Sequence, residues 1–248
     1  LSWEEHLMLI AHTVNRYGDK LIVVGNTGSN NTREAIKATK HGFAMGMHAA
    51  LQINPYYGRT SDKGVVEHFK AVLDIGPAFI YNVPGRTGQD VTPEMIAPLS
   101  THKNFIGVKE CSGNERIAQY EKNGIACWSG NDDESFAGRH EFGSHGVISV
   151  ASNIIPQVMR KLMDEPDHEL NKSVTNFMSW LFCEPNPIAL NTALMMTKAV
   201  NPVFRLPYYA LNQQQREEGF ALLQEINSDE LVGDSLFVMS DDDFSYIA

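Results

Sequence analysis

The 248-residue chain is 43% hydrophobic and 20% charged, a balance that suits one large globular core and excludes a disordered or fibrous segment. Its 20 Lys and Arg against 30 Asp and Glu give a formal charge of −10, a surface that would repel nucleic acid and anionic membranes. Cys111, Cys127 and Cys183 have no paired spacing, which argues against a disulfide framework or a zinc site, and no apolar run approaches the ~20 residues of a membrane helix.

Ser2 and Glu5 have capping-box spacing, and Leu7, Ile10, Ala11 and Val14 then mark one face of a helix over 2–17 that Gly18 stops. Leu21 to Val24 reads as a short buried strand, followed by a loop through Gly25, Gly28 and residues 29–31 and a helix from Thr32 to Lys40. The alternation continues with strands at 46–53, 78–83, 105–110, 126–129 and 146–150. Helices are predicted at about 61–74, 92–99, 114–122, 133–141 and 153–164. Thr92-Pro93 has the signature of a helix start.

Six strand-then-helix units predict a parallel sheet clothed in helices, two units short of the eight that close a (β/α)8 barrel, and the opening helix has no strand in front of it. A doubly wound sheet fits less well, because Gly25-Asn26-Thr27-Gly28 has neither G-x-G-x-x-G spacing nor a following G-K-[ST]. After 165 the pattern becomes helical, at 167–182, 186–199 and 212–226, with no strands between. The division expected is therefore 1–165, a partial barrel, and 166–248, a helical region ending in a solvated acidic tail (Asp234, Asp241, Asp242, Asp243).

In such a barrel, chemistry gathers at the C-terminal ends of the strands. Lys109 closes the apolar run Phe105-Ile106-Gly107-Val108, where burial would free its amine as a nucleophile. A salt bridge to Glu110 is the plainer alternative. Tyr56 and Tyr57 follow one strand and Tyr81 stands near the end of another, and a phenol there can relay protons or serve as an amphipathic core residue. Arg86, in Pro84-Gly85-Arg86-Thr87-Gly88, suits bidentate capture of a carboxylate or a surface ion pair. The histidines show neither H-x-x-H nor H-E-x-x-H spacing, and Asp132-Asp133 reads as a helix cap.

Four segments occur in order: Tyr81-Asn82-Val83-Pro84-Gly85-Arg86-Thr87-Gly88, Gly107-Val108-Lys109-Glu110, Ser129-Gly130-Asn131-Asp132 and Gly146-Val147-Ile148-Ser149-Val150. Together they resemble the 4-hydroxy-tetrahydrodipicolinate synthase family. The resemblance runs through Glu184-Pro185-Asn186-Pro187 and Arg205-Leu206-Pro207, and the first residues and Asp-rich tail are similar to its plant, chloroplast-targeted branch.

The resemblance implies a Schiff-base condensation of pyruvate with aspartate semialdehyde in lysine biosynthesis. Lys109 would form the imine, Tyr81 would relay protons, and Tyr57 would join the relay from a neighbouring subunit. Arg86 would hold the semialdehyde carboxylate, and the Gly130 carbonyl and Ile148 would line the pyruvate pocket. No metal or organic cofactor is implied. Trp3, His6, Asn30, Glu34 and Tyr56 match an inhibitory lysine site at a dimer interface, within a homotetramer built as a dimer of dimers in the plastid stroma. The family's first two strands and its Gly-Thr-Thr-Gly segment are expected to precede the position of Leu1, so that this chain is N-terminally truncated.

Two other readings stand beside this one. Another pyruvate-dependent aldolase of the N-acetylneuraminate lyase superfamily is disfavoured by Arg86. A non-catalytic fragment or lysine-binding pseudoenzyme is favoured by the missing segment.

Overall fold

A computed structural model describes residues 1–248, and contacts group them into two compact units. The first comprises 1–129 with 142–145, and the second comprises 130–141 with 146–248. Packing thus groups the chain differently from the change of pattern at 165.

In the first unit, helix α1 (Trp3–Tyr17) starts on the expected capping box. The Glu5 N–H donates to Ser2 Oγ at 3.1 Å and the Ser2 N–H to Glu5 Oε2 at 2.8 Å, satisfying two helix-end donors at once. Then come β1 (Val24–Asn26), α2 (Thr32–Ala44), β2 (Ala49–Ile53), α3 (Asp62–Leu73) and β3 (Ala78–Asn82). The unit continues with α4 (Pro84–Thr87), α5 (Pro93–Ser100), β4 (Phe105–Glu110), α6 (Asn114–Lys122) and β5 (Cys127–Ser129). The five strands lie in sequence order, every neighbouring pair parallel.

Each strand has two unlike faces. Ala78, Ile80 and Val108 pack with Val65, Phe69, Leu73, Ile96 and Leu99 of the helices, all fully buried or nearly so. Successive side chains point to opposite faces, so Phe79, Tyr81 and Lys109 share the other face, where burial is only partial. A Cβ on Gly107 would lie 2.8 Å from the Trp128 ring and closer still to a backbone oxygen, so only glycine lets Trp128 cross β4. Trp128 then meets Phe79 edge-on, with ring centroids 5.0 Å apart.

The second unit contains α7 (Asp132–His140), α8 (Pro156–Asp164), α9 (His168–Trp180), α10 (Ile188–Met196), β6 (Val203–Arg205), α11 (Gln213–Gln224) and β7 (Ser245–Ile247). Its core joins Phe136, Ile154, Ile155, Leu162, Phe177, Met178, Leu181, Met196 and Leu223. No helix of either unit is long and apolar enough to cross a membrane.

Four local expectations need correction. The strand expected at 146–150 is a single bridging residue, Val147. Asp132 Oδ2 accepts the Val150 N–H at 2.9 Å and the Ala151 N–H at 3.0 Å, turning the chain into a 3₁₀ turn at Ala151–Asn153. The Asp132 side chain is therefore buried against residues 150 and 151 rather than capping α7, whose N-cap position belongs to Asn131. Leu21 and Ile22 are exposed and the first strand begins at Val24.

The helical region also contains a parallel strand pair, β6 with β7. With it the acidic tail is anchored. Arg216 is buried, donating to the Leu211 carbonyl and to Asp241 Oδ1, each at 2.5 Å, with its guanidinium over the Phe244 ring.

Candidate functional site

β3 and β4 place the central pair. Tyr81 and Lys109 are register partners, and parallel partners project to the same side. Lys109 Nζ lies 4.2 Å from the centre of the Tyr81 ring, close enough for the π face to hold an ammonium in place. Lys109 is half-buried rather than sunk in the core. Burial raises Tyr81 above the ordinary phenol range, with Cys111 adding to the effect and the Arg86 charge opposing it. The phenol is thus a protonated donor at neutral pH.

Glu110 points to the opposite face from Lys109. Its carboxylate accepts from Asn82 Nδ2 at 2.9 and 3.1 Å and from the Ser112 N–H at 2.8 Å. Burial raises the Glu110 carboxyl, and these hydrogen bonds oppose that rise. Asn82 also donates to Asp90 and accepts the Val91 N–H at 2.9 Å. Asp90 in turn pairs with Arg116 at 2.9 Å. This buried network fixes the strand ends behind the lysine.

Arg86 rides on α4, a single turn that Pro84 opens and Gly88 closes in a left-handed conformation at φ 77°. Its guanidinium is exposed, yet its field reaches both Tyr81 and Cys111. Tyr57 is different. Its backbone N–H donates to the Thr87 carbonyl at 3.2 Å, but the residue is 93% exposed and so packs against nothing in its own chain. The structure brings Lys109, Tyr81 and Arg86 together and leaves Tyr57 outside that group.

Gly130 directly follows β5 and is half-buried. Ile148, also half-buried, stands two residues before the Val150 amide that Asp132 holds. Both belong to the second unit.

Four of the five candidate lysine-site residues line two clefts that share Trp3. Trp3, His6 and Tyr56 line one of about 300 Å³, and Trp3 and Glu34 line another of about 320 Å³. The Trp3 and His6 rings meet edge-on at 5.5 Å, and His6 Nε2 lies 2.5 Å from the Asn26 carbonyl oxygen. Asn30 Nδ2 donates to the Tyr56 carbonyl at 3.4 Å, and Glu34 accepts from Ser29 Oγ at 3.2 Å. A cleft with an aromatic wall and a carboxylate suits an amino group with an aliphatic stem.

The residue missed from sequence is Cys111, half-buried just beyond β4, which adds to the rise at Tyr81. Its signal was its place two residues beyond Lys109, on the same face. Burial pushes its thiol up to about 11. An amine, a protonated phenol and a nearby guanidinium can bind a ketone, protonate a carbinolamine and hold a carboxylate.

Comparison with known proteins agrees with this chemistry. A sequence model of the dihydrodipicolinate synthetase family matches residues 1–226. The chain is 54% identical to 4-hydroxy-tetrahydrodipicolinate synthase 1, chloroplastic, of Arabidopsis thaliana, over 100% of this chain and 68% of that protein. It is 53% identical to the chloroplastic enzyme 1 of Triticum aestivum, over 100% of this chain and 64% of that protein. The chain thus spans about two thirds of the length of these plant relatives. Among solved structures, the chloride-inhibited dihydrodipicolinate synthase of Acinetobacter baumannii complexed with pyruvate superposes with a TM-score of 0.85 at 33% identity. That match covers 91% of this chain and 81% of that one. The enzyme of Cyanidioschyzon merolae with lysine bound gives 0.84 at 29% identity, with the same coverage. These neighbours carry the barrel fold that the motifs implied.

Proposed function

Because the chain belongs to the dihydrodipicolinate synthetase family, we propose that it condenses pyruvate with aspartate semialdehyde to 4-hydroxy-tetrahydrodipicolinate, as a lyase of lysine biosynthesis in the plastid stroma. The chloroplastic relatives support the compartment.

Lys109 attacks the pyruvate ketone, and the carbinolamine loses water to give an imine. Loss of a methyl proton gives the enamine, whose carbon forms the new bond to the semialdehyde aldehyde. The amino group of that substrate then displaces Lys109 as the ring closes. The lysine is the electron sink, so the scheme calls on no further cofactor.

Tyr81, as the protonated phenol beside Lys109, delivers the proton that lets water leave. Arg86 holds the semialdehyde carboxylate. Tyr57, standing clear of its own chain, enters the relay of a neighbouring subunit in a homotetramer built as a dimer of dimers. Free lysine binds at Trp3, His6, Asn30, Glu34 and Tyr56 and feeds back on the reaction.

The observation that carries this reading is the Lys109 amine over the Tyr81 ring, 4.2 Å from its centre. The test is turnover with both substrates. The wild-type chain should consume them and Lys109→Arg should not, because a guanidinium keeps the charge but does not condense with ketones. Equal turnover by the two would overturn the proposal.

A further inference from the structure

Lys109 faces away from the helices only because β4 changes phase. Phe105 packs against the helix-side core and Val108 is buried in it. Their separation is odd, and regular alternation would send them to opposite faces. The register shows where the phase breaks. Ala78 faces Phe105 but Phe79 faces Gly107, which leaves Ile106 as an extra residue, a bulge in a parallel pair. Gly107, the next residue, has no side chain to collide with the Ala126 carbonyl and the Trp128 ring. From there Tyr81 faces Lys109 and Asn82 faces Glu110. Without the bulge Asn82 would face Lys109, and the ammonium would turn toward the apolar layer under the helices.

The pair beyond Lys109 holds the shifted register. Asn82 Nδ2 donates to the two Glu110 carboxylate oxygens at 2.9 and 3.1 Å, and both residues are fully buried or nearly so. Glu110 Oε1 also accepts the Ser112 N–H at 2.8 Å, and Asn82 Oδ1 accepts the Val91 N–H at 2.9 Å. A slip of one residue would part Asn82 from Glu110 and leave a buried amide and carboxylate short of partners, which is costly.

We infer that Asn82 and Glu110 are positioning residues: their side-chain pair locks β3 to β4 in the register that follows the bulge, and so keeps the Lys109 amine over the Tyr81 ring. The consequence for catalysis rests on the Schiff-base reading. The pair acts through reach rather than charge.

The experiment measures the rate at which borohydride traps pyruvate on Lys109 in the full chain, on variants shown by denaturant unfolding to be folded. Glu110→Gln keeps an oxygen at the same reach and removes the charge. Glu110→Asp keeps the charge and withdraws the oxygens by one carbon. Glu110→Asp should slow trapping by about 10-fold, since a misplacement on the order of 1 Å can cost up to ~100-fold. Glu110→Gln should stay within about 3-fold of wild type. In the Tyr81→Phe background, Glu110→Asp should slow trapping by less than about 2-fold, because the hydroxyl beside which the amine is held is gone. Val72→Ala, a truncation in the core face of α3, should lower stability yet trap at the wild-type rate, which separates lost stability from lost position. Asn82→Ser, which shortens the contact from the other strand, replaces Glu110→Asp if that variant unfolds. Wild-type trapping in Glu110→Asp, equal slowing in Glu110→Gln or Val72→Ala, or the same slowing by Glu110→Asp in both backgrounds would overturn the inference alone. No adduct in the wild-type chain would overturn the Schiff-base reading, and the catalytic role of the pair with it.

Discussion

His68 on α3 makes the stability of the first unit depend on pH. Its ring is 4% exposed, lies against Phe69 with centroids 5.3 Å apart, and has Nδ1 2.9 Å from Thr32 Oγ1. Burial lowers it from the ordinary 6.5 to about 4. Between those values the unfolded chain binds a proton that the folded chain refuses. Stability is therefore complete above about pH 6.5 and falls as the pH drops toward 4. At about 1.4 kcal/mol per pH unit the loss reaches about 3 kcal/mol by pH 4. His68→Gln keeps a polar side chain but removes the titration. Urea unfolding of both proteins at about pH 7 and about pH 4 isolates this one group, since every other titration is common to both. The wild type should lose about 3 kcal/mol more than the variant, a midpoint difference of about 1 M urea. A wild-type-minus-variant difference constant within about 0.5 kcal/mol across that range would refute the reasoning.

Three further outcomes are expected. Arg86→Ala should raise KM for aspartate semialdehyde by about 10- to 100-fold, the worth of a charge-assisted hydrogen bond, while pyruvate trapping on Lys109 stays at the wild-type rate. Glu34→Gln should weaken lysine binding, followed by calorimetry, by about 10-fold with condensation unchanged in the absence of lysine. Asp241→Asn should destabilise the second unit by about 1–2 kcal/mol in denaturant unfolding, because it leaves the buried Arg216 charge without its carboxylate. That cost stays below the full value for a buried pair because the Asp241 side chain is 86% exposed.

Much of this was legible because the signals are local. Ser2 and Glu5 predicted a cap that both hydrogen bonds fulfil, and Thr92-Pro93 predicted the start of α5. Lys109 ending an apolar run, with Tyr81 ending another, predicted two groups at the same sheet edge, and parallel register made them partners.

What escaped prediction depends on distant partners. β6 and β7 are three residues each and pair across some forty residues of chain, so neither stretch carries the pattern of a strand. Arg216 sits among Gln and Glu and reads as a surface helix residue; only Asp241 and Phe244, far along the tail, reveal it as buried. Residues 146–150 look like a strand by composition, but the Asp132 carboxylate takes two of their backbone donors in place of a ladder. Cys111 was passed over because a sparse cysteine reads as a small apolar residue until its phenol neighbour is seen.

The most direct measurement is borohydride reduction in the presence of pyruvate, followed by peptide mass mapping. The account predicts the mass of one reduced pyruvate on the peptide carrying Lys109, and no adduct in Lys109→Arg. A stable adduct on a different lysine, or full trapping in Lys109→Arg, would contradict it.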